Sequence, residues 1–146
     1  SQGDAESESL LGQFYDKGEL VRQDRAIALK WMMKAADHGD ANANLWVAKA
    51  SENGKLLPQD NEAVIRRYCA SANAGNLEAQ YLLGLKYGSG SGVPRNDIEA
   101  YAWLNLAAAS GYRDAVQRRD ELSKSMTADQ VLDAQKVARE RQKISN

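Results

Sequence analysis

Glycine recurs at Gly3, Gly39, Gly75 and Gly111, a spacing of 36 residues held without slippage. A period of about 20–50 residues marks a chain of stacked supersecondary units, each too small to bury a core alone. The clearest copy runs from Gly75 to Gly111 and reads GNLEAQYLLGLKYGSGSGVPRNDIEAYAWLNLAAASG. The period divides the chain into repeats at about 3–38, 39–74 and 75–110, followed by a terminal segment 111–146, all within one domain.

Counted from each leading glycine, offset 4 holds Ser7, Ala43, Ala79 and Ala115, and offset 7 holds Leu10, Trp46 and Leu82. Offsets 8 and 9 hold Leu11-Gly12, Val47-Ala48 and Leu83-Gly84, and offset 12 holds Tyr15, Ser51 and Tyr87. Offsets 4, 7, 8 and 12 fall on one face of a 3.6-residue helix. The pattern predicts first helices over Asp4–Lys17, Asp40–Asn53 and Asn76–Tyr87, with the small residues at offset 9 admitting a close neighbour.

Gly18, Gly54 and Gly90 are predicted helix stops in the left-handed region. The turns that follow read GELVRQD, GKLLPQD and GSGVPRN. Each keeps an aliphatic residue, Val21, Leu57 or Val93, expected to tuck under the helix pair, and each closes on an N-cap residue, Asp24, Asp60 or Asn96. Second helices are predicted over Arg25–His38, Asn61–Ala74 and Asp97–Ser110. Their repeated apolar positions include Met32/Tyr68/Leu104 and the small pairs Ala35-Ala36, Ser71-Ala72 and Ala107-Ala108, which suit tight stacking on the next unit. Trp31 and Trp103 share one position, where the middle copy has Arg67, and both tryptophans are expected in the core.

These glycines and alanines, the Leu-Gly pair, the tyrosine and the GVPRND turn together resemble the Sel1-like repeat family, relatives of the tetratricopeptide repeats. AQYLLGLKYGSGSGVPRNDIEAYAWLNLAAASG carries the family pattern almost throughout, and WMMKAADHGDANA carries its junction between units. The resemblance implies an all-α fold, an α-solenoid of antiparallel helix pairs wound as a right-handed superhelix. It also implies a non-enzymatic scaffold or adaptor that binds a peptide or partner protein on a concave face, in bacterial envelope, secretion or signalling systems. An immunity protein that blocks a secreted bacterial toxin is the alternative it leaves open. A bacterial periplasm or cell-envelope location is favoured over cytoplasm. The middle copy departs from the pattern at Val47-Ala48, Ser51 and Arg67, and the chain lacks the paired cysteines that staple each repeat in some exported members.

Beyond Gly111 the fourth copy keeps Ala115 and Leu122 but places Arg118, Arg119 and Asp120 where Leu82, Leu83 and Gly84 stand. Thr127 followed by Gln130 is a capping-box signature opening a last helix with the apolar stripe Val131, Ala134, Val137 and Ala138. A polar-backed element of this kind is expected to cap the solenoid, and a helix docking on a partner is the alternative. The charged run to Asn146 reads as a natural end, whereas the opening SQGDAESES, with no methionine, reads as the trimmed start of a longer precursor.

The remaining features narrow function mainly by exclusion. A net charge of -1 supplies no field for nucleic acid, and no apolar run is long enough to insert in a membrane. Cys69 is the only cysteine, expected as a small core residue, and His38 is the only histidine, expected at a helix end that favours cations. No catalytic constellation, metal-ligand cluster or cofactor motif stands out, and GSGSG lacks the Gly-Lys-Ser/Thr ending of a phosphate loop. Contacts with a partner are therefore sought on first-helix offsets 3, 6, 10 and 13. These are Glu6, Ser9, Gln13 and Asp16, then Asn42, Leu45, Lys49 and Glu52, then Glu78, Tyr81 and Leu85. Leu45, Tyr81 and Leu85 would form an apolar spot rimmed by Lys49, Glu52 and Glu78, unless superhelical curvature buries all three.

Overall fold

The structure, a computed structural model, describes residues 1–145, with Ser145 described by its backbone alone; Asn146, the end of the expected cap, lies outside the described residues. All regular structure among them is helical: α1 (Gln2–Lys17), α2 (Arg25–Asp37), α3 (Ala41–Asn53), α4 (Asn61–Asn73), α5 (Leu77–Ser89), α6 (Asp97–Ala109), α7 (Arg113–Ser123) and α8 (Ala128–Ser145). The chain forms two compact units, Ser1–Ala74 and Gly75–Asn146, divided at a repeat boundary. In the first, α1 packs on α2, α2 on α3, and α3 on α4; in the second, α6 packs against α5, α7 and α8. This is the α-solenoid class.

The helix ends follow from local chemistry. Asp24, Asp60 and Asn96 each accept a hydrogen bond from a backbone amide three residues on, at 3.0, 3.1 and 3.1 Å. The Thr127 amide donates to Gln130 Oε1 at 2.9 Å while the Gln130 amide donates to Thr127 Oγ1 at 3.2 Å, a reciprocal capping box. Gly18, Gly54 and Gly90 end the first helices at φ 75°, 70° and 73°. The GSGSG run is explained by backbone demand: Gly92 also sits at φ 77°, and the residue in its repeat position in the first copy, Leu20, is forced to φ 65°.

Small residues bring successive helices together as the pattern predicts. In the first unit Met32, Ala35 and Ala36 of α2 pack with Ala43 and Val47 of α3, and Leu57 from the turn seals that cluster. In the second, Leu104 and Ala107 of α6 pack with Ala115 of α7. The divergent middle copy has its own physical logic. Arg67, standing where the other copies have tryptophan, donates to Asp37 at 2.8 Å and to Asn44 at 3.2 Å, tying the second repeat to the first. Tyr68 is 1% exposed, and its bulk accompanies the reduction of tyrosine to Ser51 elsewhere in the same copy.

Three expectations need correction. The face of the first helices is turned by about one residue. At offset 6, expected outward, Ser9 and Leu45 are buried and Tyr81 half-buried; at offset 7, expected inward, Leu10 is 51% exposed and Trp46 and Leu82 are only half-buried. The tryptophans also differ. Trp103 is 4% exposed because α8 covers α6 and lays the Arg141 guanidinium 4.5 Å from the ring centre, whereas Trp31 is half-buried with Lys34 at 5.4 Å. Cys69 is half-buried on the flank of α4, outside the core.

The glycines at offset 9 give a direct test of helix spacing. A Cβ on Gly84 would lie 2.6 Å from Leu104 Cγ and 3.2 Å from the Ala100 carbonyl oxygen, whereas one on Gly12 would lie 2.9 Å from Cγ of a flexible methionine, Met32. Overpacking costs about 1–3 kcal/mol, against the ~1 kcal/mol that alanine gains over glycine in a helix. Gly84→Ala is therefore expected to lower the urea midpoint, and Gly12→Ala to lower it less.

Candidate functional site

The first unit carries a shallow concavity of about 510 Å³ where Gln2, Glu6, His38 and Asn42 meet, and a smaller one on the outward side of α3 that exposes an indole. Trp46, Lys49 and Ala50 stand on one face of this helix, Lys55 and Leu56 follow in the turn, and Arg25 projects from the start of α2; together they bound an open cleft of about 200 Å³. Trp46 is half-buried and packs against the cluster of Met32, Ala36 and Val47, which gives the cleft an apolar side. Asp16 organises the wall. Its carboxylate accepts from Trp46 Nε1 at 3.0 Å and from Arg25 Nε at 3.1 Å, holding both groups in place. Asp16 is itself anchored, since Gln23 Nε2 donates to its backbone carbonyl at 2.7 Å, a bond that Gln59 repeats on Glu52 at 2.8 Å.

The side chains singled out by sequence fall differently in each unit. On α3, Lys49 and Glu52 are exposed and Lys49 lines the cleft, but Leu45 is 7% exposed. The reason is that α3 packs against both α2 and α4, so its buried arc spans Ala43, Asn44, Leu45, Val47, Ala48 and Ser51. Glu52 also accepts the Tyr68 hydroxyl at 2.8 Å. On α5, Glu78, Tyr81 and Leu85 are all half-buried. Tyr81 packs against Tyr112 with ring centres 5.1 Å apart, as part of the cluster that joins α6 and α7. Burial pushes the Tyr112 hydroxyl above its usual 10.0, and the nearby charge of Glu78 adds to the shift. Sequence reasoning missed Trp46, Arg25, Lys55 and Leu56. The available signal was an unmatched tryptophan: Leu10 and Leu82 occupy its position in the other copies.

A second polar cluster sits at offset 5 of the first copy. Glu8, 8% exposed, accepts from Lys34 Nζ at 2.7 Å and meets His38 Nδ1 at 2.7 Å, so His38 serves at the end of α2 as a helix-end partner. The Lys34 hydrogen bond holds the Glu8 carboxyl below its usual 4.5, against the opposing effect of burial and with help from His38. A carboxylate whose pKa is depressed on folding contributes stability that is present above its unfolded value and lost as pH falls through the lowered one. Glu8→Gln is thus expected to flatten the acid limb of the stability–pH curve below about pH 4.5, read by denaturant midpoints across that range. Among the described residues no three potential metal ligands converge, and no helix is long and apolar enough to cross a membrane.

Helix pairs in a fixed period, with outward side chains that vary from copy to copy, define a helical-repeat protein of the solenoid class. The chain belongs to the Sel1 repeat family: the Sel1 repeat pattern matches residues 5–40 and 77–112, bracketing the divergent middle copy. It is similar to a chitin synthase regulator of Saccharomyces cerevisiae, 31% identical over 123 residues that make up 81% of this chain and 17% of the regulator. It is also similar to the alginate biosynthesis protein AlgK of Azotobacter vinelandii, 25% identical over 89% of this chain and 29% of that one. Among solved structures, a protective antigen of uropathogenic Escherichia coli displaying an SLR fold superposes with a TM-score of 0.84 at 27% identity, covering 99% of this chain and 31% of the antigen. The chain thus spans less than a third of each of these relatives.

Proposed function

We propose that this chain is a non-enzymatic interaction scaffold that binds a protein or peptide through outward side chains on the first helices of its repeats. The observation that supports it most directly is the cleft on α3, where a half-buried indole and Lys49 share an open concavity whose wall is held by Asp16. Indole surface beside charged side chains is the composition of an interface core with a polar rim. The relationship to a chitin synthase regulator is consistent with this reading, since that protein is named for acting on another protein rather than for a reaction of its own. Lys49 and Glu52 in the first unit, and Glu78, Tyr81 and Leu85 in the second, are the proposed contacts. Leu45 supports its helix from behind.

The test is an unbiased selection. The full chain is immobilised and panned against a random peptide display library, and the enriched binders are sequenced. A shared consensus that binds the free chain in solution, and binds less well after Lys49→Glu/Glu52→Lys with the helical circular dichroism intact, supports the scaffold. Absence of any enriched consensus overturns it.

A further inference from the structure

The cleft on α3 is lined by three cations, Arg25, Lys49 and Lys55, while the one carboxylate described at its wall, Asp16, is taken up by Arg25 at 3.1 Å and by Trp46 Nε1 at 3.0 Å. The apolar part of the lining is Trp46, Ala50 and Leu56. We infer that this cleft is a docking site for an acidic segment of a partner protein, taking a carboxylate between the three cations and the adjoining large apolar side chain against the Trp46 indole. This rests on the scaffold reading above and adds the chemistry of the partner.

Size decides the kind of ligand. At about 200 Å³ the cleft is too small for a drug-sized molecule or cofactor, which need pockets of about 300–1,000 Å³. It suits one acidic side chain of an extended peptide with its apolar neighbour laid along the indole, the remainder lying on the open surface. The placement of Arg25 is informative as well. It stands in the first turn of α2, where the helix dipole disfavours a cation, while the same repeat position holds Asn61 in α4 and Asp97 in α6. The Asp16 carboxylate at 3.1 Å offsets the unfavourable helix position of Arg25 and fixes its guanidinium at the edge of the cleft. The other copies do not carry these groups on their own first helices and turns. Where the middle copy has Trp46, Lys49 and Lys55, the first has Leu10, Gln13 and Glu19 and the third has Leu82, Leu85 and Ser91. The cationic cleft is therefore a property of one site and not of the repeat.

The experiment uses the full chain and two pools of short fluorescein-labelled peptides. In one pool Asp and Glu alternate with Leu and Phe; in the other Asn and Gln replace the acids. Fluorescence anisotropy is read across a range of salt. The acidic pool is expected to bind at least ~10-fold more tightly than the amide pool and to weaken as salt rises. Lys49→Glu/Lys55→Glu is expected to remove that preference, with unchanged helical circular dichroism, while the charge-matched control Lys136→Glu/Lys143→Glu on α8 retains it. Equal binding of the two pools, or a preference that survives Lys49→Glu/Lys55→Glu, overturns the inference. Citrate displacing the labelled acidic pool as effectively as unlabelled acidic peptide does, with no dependence on the apolar residues of the peptide, marks a small-anion site and also overturns it. If the random library yields a neutral or basic consensus, the scaffold stands and the acidic partner falls. If it yields none, the scaffold reading falls with it.

Discussion

Tyr68→Ala is expected to destabilise the first unit by about 3–5 kcal/mol, the range for removing a fully buried aromatic side chain. Tyr68 is 1% exposed and occupies the position held by Met32 and Leu104 in the other copies, so truncation opens a cavity between α3 and α4. The buried residues of α3 and α4 include Val64, Ala48 and Ser51, short or branched side chains of limited reach, and the cavity would collapse only in part. Tyr68→Phe separates the two roles of the residue. It keeps the ring and deletes only the hydroxyl that donates to Glu52 at 2.8 Å, a loss of about 0.5–1.5 kcal/mol. Urea unfolding followed by circular dichroism measures both. A phenylalanine variant as unstable as the alanine one would show that the hydrogen bond, not the packing, dominates at this site.

The second large effect distinguishes two residues that the repeat makes equivalent. Trp103→Ala is expected to cost about 3–5 kcal/mol, whereas Trp31→Ala, at the same offset on α2, is expected to cost about 1–2 kcal/mol. The difference comes from α8. In the second unit that helix covers α6: Arg141 stacks 4.5 Å from the Trp103 ring centre and pairs with Glu99 at 2.6 Å, and Ala102 beside it is 0% exposed. Where α6 has Ala102 and Leu106, α2 has the solvated Lys30 and Lys34, the composition of a helix with one wet side. Arg141→Ala, which removes the stacked cation, is expected to reproduce part of the Trp103 loss and leave Trp31 unaffected. Similar losses at Trp31 and Trp103 would show that α8 adds nothing to the burial of α6.

Much of the candidate site was hidden in the sequence for a reason visible at particular residues. Successive residues on a helix are turned by about 100°, so a one-residue error in phase exchanges a wall for a surface. Leu45 and Trp46 are adjacent and both apolar, and periodicity assigned them to the wrong sides. The correct phase depends on α3 being packed from two directions, which widens its buried arc to include Leu45 and leaves Trp46 at the edge. Lys49 was legible as outward because it lies near the centre of the solvated face, where a small turn changes nothing. Arg25 and Lys55 come from other segments and meet Lys49 only once the chain is folded.

What the sequence determined by itself was the period, the helix boundaries, the caps and the left-handed turns. Each of these is settled within a few residues, by a side-chain oxygen reaching an amide three positions on or by a glycine that alone tolerates positive φ without cost. Packing between distant segments settled which of two equivalent tryptophans is core, which apolar residue of α3 faces out, and where three cations meet an indole. Those outcomes depend on side chains far apart in sequence, because burial is a property of the neighbours a residue acquires and not of the residue.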